Sequence, residues 1–347
     1  MDDNWTQGML PMTTRGPRGA AAKDEILSVA ARYVPELDGG ESIDQSFIPA
    51  LAKSPDRMEQ VRAALKEVHT YHRLQLGDAR DLTFLDSGSV HLVVTSPPYW
   101  ILKEYPEGDG QLGNMADYEH FLGQLRLVWQ ECFRVLVPGS RLVIVVGDVC
   151  LSRRAYGRHV VFPLHASIQE LCREIGFDNL SPIIWYKIAN AQFEAGGGGF
   201  LGKPYEPNGI IKNDIEYILM QRKPGAYRKP TTAMRVLSTI GYDEHKEWFN
   251  AIWTIPGAST RDHPAPFPVE LAERLVRMFS FVGDTVLDPF VGSGSTPIAS
   301  ALAARNSIGV DINQSYLDLA AGRFKWETVG RNSRLLEGGR GELDDER

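Results

Sequence analysis

Apolar and polar positions along the chain follow two periods in alternation, and that alternation predicts an α/β fold. Short apolar runs read as strands at 73–76 (RLQL), 91–94 (HLVV), 142–146 (LVIVV), 183–188 (IIWYKI), 216–220 (EYILM), 285–287 (TVL) and 307–310. Three-to-four spacing marks helices between them. Asp117 is placed to cap one that carries Phe121, Leu125, Val128, Trp129, Cys132, Phe133 and Leu136 and stops at Pro138-Gly139. A second starts at Pro163 with Leu164, Ile168, Leu171, Cys172 and Ile175, and ends at Gly176. A third puts Phe267, Leu271, Leu275 and Phe279 on one stripe, with Ala272 and Val276 beside it. Two more are predicted over 295–304 and 316–324. Strand, helix and strand in succession make crossover units of a parallel sheet.

Ahead of the sheet, 23–68 carries broken helical signals. Its best segment starts at Pro55 after a Ser54 cap and aligns Met58, Val61, Leu65 and Val68. Residues 1–22 lack periodicity, and 231–262 is the least patterned part of the interior.

Two strand ends carry candidate chemistry, because ligands of open α/β sheets sit at the carboxyl ends of strands. The run HLVV stops at TSPPYW (95–100), where Pro97-Pro98 stiffens the backbone and fixes the carbonyls around Ser96 and Pro97 as acceptors. Such an element suits a planar exocyclic amine, with Tyr99 stacking on the ring; the alternative is a prolyl turn capped by two core aromatics. Neither a G-x-S-x-G elbow nor a nearby histidine points to a nucleophile. The run TVL leads into DPFVGSGST (288–296), a glycine-rich turn between strand and helix. Gly292 and Gly294 let backbone approach a ligand. Both the Rossmann spacing and the Walker lysine are missing, which argues against dinucleotides and ATP. Asp311 ends the next strand, where an acidic residue accepts from ribose hydroxyls. A nucleoside-containing ligand is the functional reading; the alternative is a tight turn with Asp311 as a helix cap. Asp288 either approaches the positive part of a ligand or holds the loop. Asp78 and Asp148 end further strands and are candidates for the same crevice, although each alone reads first as a turn or cap residue.

Composition refines this picture modestly. Cys132, Cys150 and Cys172 lack metal-ligand spacing, so neither zinc nor a disulfide framework is expected. No apolar run reaches bilayer length and no leader is evident, so a cytoplasmic protein without membrane partners is expected. A net charge of −7 disfavours a polyanionic partner on average. Residues 150–235 nevertheless hold 12 Lys and Arg against 7 Asp and Glu, which permits a basic face. His159, His165 and His263, and Trp185, Trp248 and Trp253, read as packing residues first.

SPPY followed by DPFVGSGST, in this order, resembles the amino-methylating DNA methyltransferases of the β arrangement, over roughly 72–325. The resemblance implies a Rossmann-like seven-stranded sheet, mostly parallel with its last strand antiparallel, in a circularly permuted motif order. It implies S-adenosylmethionine as cofactor and double-stranded DNA with a flipped target base as partner, with no metal. Ser96, Pro97, Pro98 and Tyr99 match the catalytic tetrapeptide. Phe290, Gly292 and Gly294 match the loop around the methionine part of the cofactor, with Asp288 beside it; Asp311 matches the ribose position and Asp78 the adenine side. Serine at the first position is similar to the cytosine-N4 group, so site-specific methylation of cytosine N4 is expected. Adenine N6 is the runner-up; an RNA amine or a binding role without turnover stands behind it. No Pro-Cys pair exists for cytosine-C5 chemistry. Phosphate contacts are expected from Arg153, Arg154, Arg158, Arg222, Lys223, Arg228 and Lys229. A cognate restriction endonuclease acting separately is left open as a further partner. The implied division is 1–70 as a helical extension and 71–223 as the catalytic half. Target recognition falls to 224–262 with the loop 190–214, cofactor binding to 263–327, and 328–347 forms a charged tail.

Overall fold

The computed structural model describes residues 19–37, 43, 44, 46–102, 110–151, 156–187, 214–258 and 266–338. Among them the helices are α1 (Gly19–Tyr33), α2 (Phe47–Ala52), α3 (Pro55–Glu67), α4 (Tyr118–Val135), α5 (Leu164–Ile175), α6 (Thr232–Leu237), α7 (Tyr242–Trp248), α8 (Val269–Phe279), α9 (Ser295–Leu302) and α10 (Gln314–Glu327). The strands are β1 (Thr70–Leu76), β2 (Val90–Thr95), β3 (Leu136–Val146), β4 (Val149–Leu151), β5 (Val160–Phe162), β6 (Asp178–Tyr186), β7 (Ile215–Arg222), β8 (Ile252–Trp253), β9 (Thr285–Asp288), β10 (Asn306–Asp311) and β11 (Ser333–Gly338).

Nine strands form one sheet in the order β11-β1-β10-β9-β2-β3-β7-β6-β8, and β4 pairs β5 separately. Every adjacent pair in the large sheet is parallel except the two made by β7, which runs against both β3 and β6. The mixed α/β sheet with flanking helices is as expected; its width is not. The two extra strands are β8 and β11, one at each edge. β8 has two residues, too few to show a period. β11 lies in the stretch expected to be a charged tail, yet Thr70 to Gln75 pair with Ser333 to Gly338.

Successive side chains of β3 point to opposite faces, and both faces are covered. Leu142, Ile144 and Val146 pack with Phe121, Leu125, Trp129 and Ile168 of α4 and α5, whereas Val143 and Val145 pack with Leu271, Leu275 and Ala299 of α8 and α9. That double burial explains why LVIVV is apolar throughout. Asp117 caps α4 by accepting from His120 N at 2.6 Å. The helix ends before Pro138-Gly139, because the Lys223 ammonium donates to the carbonyls of Phe133 (2.6 Å) and Leu136 (2.7 Å) and finishes it there. Gly139, at φ +81° within the first half of β3, runs so close to the neighbouring chain that a Cβ would lie 2.8 Å from the Ala226 carbonyl oxygen.

The amino-terminal helices pack on the domain. Ile26, Val29, Leu51, Met58 and Val61 join Val236 and Leu237 of α6 with Val282 and Ala304, which precede β9 and β10. This layer therefore covers the amino ends of the central strands. Of the expected recognition stretch, α6 is buried in this layer, and the loop 190–214 lies outside the described residues except Asp214.

Candidate active site

The sheet register brings four acidic or hydroxyl-bearing positions into one row. Leu76 pairs with Asp311, Gly309 with Asp288, Val93 with Leu287 and Thr95 with Ile144. The carboxyl ends of β1, β10, β9 and β2 thus lie side by side. They carry Gly77-Asp78, Asp311, Asp288 and Thr95-Ser96 respectively. The two motifs, 192 positions apart at Ser96 and Asp288, become neighbours because β2 and β9 are adjacent.

A crevice opens over this row. It is lined by Asp78, Ser96, Pro97, Pro98, Phe290 and Asp311, together with Gly110, Gln111, Leu112, Ile312 and Tyr316. Six residues singled out from the sequence therefore share one cavity. Its walls mix apolar side chains with two carboxylates and the hydroxyl-bearing Ser96 and Tyr316, a composition suited to a small amphipathic ligand. Among the described residues no cluster of potential metal ligands occurs.

Asp288 does not line the crevice. It is 1% exposed and accepts from Thr95 Oγ1 (2.7 Å), Thr296 Oγ1 (2.7 Å) and Phe290 N (3.1 Å). Of the two readings open in the sequence, the structure shows loop-holding: one buried carboxylate ties β2, β9 and α9 together. Burial raises its pKa to about 6 against the lowering by its hydrogen bonds.

Gly292 and Gly294 are likewise engaged within the loop. Gly292 N donates to Asp311 Oδ2 at 3.0 Å with φ +46°. Gly294, at φ +86°, caps α9, and a Cβ there would sit 2.9 Å from Ala320 Cβ, so the glycine is needed for the approach of α10. Asp311 accepts also from Asn313 N at 2.9 Å and from the Ile312 backbone. A carboxylate offers about four acceptor directions, so capacity remains toward the crevice. Burial raises the Asp311 pKa. At Asp78 burial also pushes upward, but the hydrogen bonds and charge of Arg80 outweigh it and leave the carboxyl below its ordinary range.

Ser96 Oγ lies 3.5 Å from Tyr99 OH, and Tyr99 itself is 6% exposed within the core around α4. Its neighbour Trp100 holds a left-handed backbone at φ +47°, a costly conformation for a bulky residue. The indole donates to the Met115 carbonyl at 2.7 Å and packs edge-on against Tyr118 and Phe162. Those contacts fix the turn after the two prolines. Asp148 is apart from the crevice, with its carboxylate 2.6 Å from His165 Nδ1.

The basic residues divide. Arg158 and Lys229 are exposed, and Arg153 and Arg154 lie outside the described residues. Arg222 pairs with Asp178 at 2.7 Å, Arg228 chelates the buried Asp284, and Lys223 caps α4. Arg222, the last residue of β7, pairs in register with Arg141 in the middle of β3, on the amino side of the position that pairs with Thr95 and away from Ser96. All three are engaged within the fold, Arg222 and Arg228 with carboxylates and Lys223 with backbone carbonyls.

Gly110, Gln111 and Leu112 belong to the polar, glycine-containing loop 101–114, which in the sequence is long enough to close over a site, whereas Ile312 and Tyr316 were not singled out. A Cβ on Gly110 would lie 2.9 Å from Arg80 Nη2 and from Ile312 Cδ1, so its segment closes tightly on the wall of the crevice.

A family model of N6/N4 methyltransferases, described as DNA methylase, matches residues 90–322. The chain belongs to this DNA methylase family. Among its relatives, the type II methyltransferase M.MjaI of Methanocaldococcus jannaschii is 38% identical over 278 residues, covering 72% of this chain and 89% of that protein. The type II methyltransferase M.MthZI of Methanothermobacter thermautotrophicus is 33% identical over 290 residues, covering 77% and 80%. A structure described as a putative DNA modification methylase of Thermus thermophilus, complexed with S-adenosyl-L-methionine, shares 54% identity at a TM-score of 0.62, covering 76% of this chain and 99% of that one. The methylase match begins at β2 and ends within α10, so it contains the strand ends of β2, β9 and β10 and leaves out β1 with Asp78. Among the described residues no helix of this methylase is long and apolar enough to cross a membrane.

Proposed function

We propose that this methylase transfers a methyl group from S-adenosylmethionine to the exocyclic N4 amine of cytosine in a specific DNA sequence. The observation that carries the reading is the single crevice with Ser96, Pro97 and Pro98 on one wall and Asp78, Phe290 and Asp311 on the other. The second wall fits an adenosyl cofactor: Asp311 has acceptor capacity for ribose hydroxyls, and Phe290, Leu112 and Ile312 offer apolar surface. The cofactor supplies an electrophilic methyl group on a sulfonium.

The chain's own work is placement. Ser96 Oγ and the Pro97 carbonyl accept from the amine and draw its lone pair out of conjugation with the ring. The Pro97-Pro98 backbone keeps these acceptors from relaxing, and Asp288 keeps the two motif strands in register. No covalent intermediate is required, and the proton on the methylated nitrogen passes to solvent. The target base reaches the crevice by flipping from the duplex. The strands β1-β10-β9-β2-β3-β7-β6 form the methyltransferase sheet in permuted order, with β8 and β11 added at its edges. A neutral serine at position 96 favours cytosine over adenine N6, the second reading. A restriction endonuclease of matching specificity is a natural companion for such an activity.

Nucleoside mass spectrometry on plasmid DNA from expressing cells tests this, with Ser96→Ala, Pro97→Ala as control. N4-methylcytosine only with the intact protein is expected. N6-methyladenine in its place overturns the choice of base and leaves the rest standing.

A further inference from the structure

Beside the crevice, at the same end of the sheet, lies an ion pair that the proposed chemistry does not use. Lys187 directly follows β6 and Glu216 is the second residue of β7; Lys187 Nζ donates to Glu216 Oε1. Both side chains are mostly shielded, 18% and 14% exposed, and the ammonium lies 4.4 Å from the centre of the Trp185 ring. A pair this dry costs desolvation, which a solvated surface pair avoids.

Its position is set by Gly147, at the end of β3. A Cβ there would lie 3.2 Å from Glu216 Cγ and 3.4 Å from Tyr99 Cε1. Glu216 and Tyr99 therefore flank one point, and the Tyr99 hydroxyl is in turn 3.5 Å from Ser96 Oγ. In strand order the ion pair, on β6 and β7, stands on the far side of β2 from the cofactor wall, and a base stacked on Tyr99 in the proposed reading would extend toward it.

Ser96 and the Pro97 carbonyl are acceptors for the amine only. The ring nitrogen next to that amine is an acceptor in cytosine and in adenine, whereas thymine carries N–H at the equivalent position. It calls for a donor. An ammonium has three N–H bonds, and Glu216 takes one of them.

We propose that Lys187, held in place by Glu216, is the specificity-determining donor to the ring nitrogen beside the target amine. The inference rests on the flipped-base reading above but not on which base is flipped. Lys187 gives the site its preference for a base with an acceptor at that position, and Glu216 is a positioning residue that aims the ammonium.

The test uses the full-length protein and a duplex containing the methylated site mapped in expressing cells. The target base is replaced by the analogue that lacks only this acceptor: 3-deazacytosine where the mark is N4-methylcytosine, 1-deazaadenine where it is N6-methyladenine. The wild type is expected to lose roughly 10- to 100-fold in kcat/KM on the analogue, the scale of one charge-assisted hydrogen bond. Lys187→Met should lose a similar factor on the natural base and no longer distinguish it from the analogue. Lys187→Arg should recover part of the discrimination, and Glu216→Gln should fall between. A Lys187→Met enzyme that discriminates as the wild type does overturns the proposal. Should that variant fail to bind S-adenosylmethionine and so prove misfolded, the wild type still decides, since equal kcat/KM on base and analogue overturns it alone. A different methylated base would correct the choice of cytosine without touching this result.

Discussion

At Asp288 a single carboxylate links sequence, stability and site. Its two threonine partners come from β2 and from α9, so the Thr95 at the head of TSPPYW and the Thr296 at the end of DPFVGSGST serve one buried group. Both were visible in the sequence as small polar residues, but their shared partner was not, because adjacency of β2 and β9 is a property of the sheet. The pKa raised to about 6 has a definite consequence for the cofactor-free protein. A carboxyl whose folded value exceeds its unfolded value near 4 stabilises the fold fully at low pH, and that contribution is lost as pH rises through about 6. Asp288→Asn lacks the titration. The stability difference, variant minus wild type, should therefore move in the variant's favour by about 2 kcal/mol between pH 4 and 7. Denaturant midpoints at several pH values measure it. Parallel curves for the two proteins would exclude an elevated pKa at this carboxyl.

At the scale of elements, helices with clean spacing and a cap were legible, and those defined by distant partners were not. α4 and α8 occur with the predicted apolar faces buried. The end of α4 was misplaced because the group that terminates it, Lys223, lies about ninety residues later in the chain. In the sequence the same lysine reads as a phosphate contact by its setting in QRKPGAYRKP. Local charge pattern cannot distinguish a cation that reaches DNA from one that satisfies the final carbonyls of a helix. The two roles separate on substitution. Lys223→Met should destabilise the protein by about 1–2 kcal/mol in denaturant unfolding. It should leave the salt dependence of DNA binding unaltered. A slope shallower by about one unit with no loss of stability would restore the phosphate role.

For the whole molecule, the sheet sorts its two ends by task. The carboxyl ends of β1, β10, β9 and β2 make the crevice, while α1, α3 and α6 bury the amino ends of β9 and β10. The sequence showed a helical appendage without its docking site, since an amphipathic face does not name its partner. It also showed one basic stretch over 150–235, which the fold divides between the two ends. Arg222 and Arg228 are bound to Asp178 and Asp284 at the amino ends of β6 and β9, whereas Arg158 lies between β4 and β5, which follow the crevice end of β3. On the proposed function, DNA that delivers a base to Ser96 approaches from the crevice side. Each phosphate contact contributes about 0.9 to the slope of log K against log salt. Replacing Arg153, Arg154 and Arg158 together by alanine should then lower the magnitude of that slope by about 2 to 3, whereas Arg222→Ala with Arg228→Ala should change it little. Fluorescence anisotropy over a salt series gives both slopes. If the second pair proved the more sensitive, DNA would have to reach the end of the sheet that the amino-terminal helices cover, and the flipped-base geometry at Ser96 would fail with it.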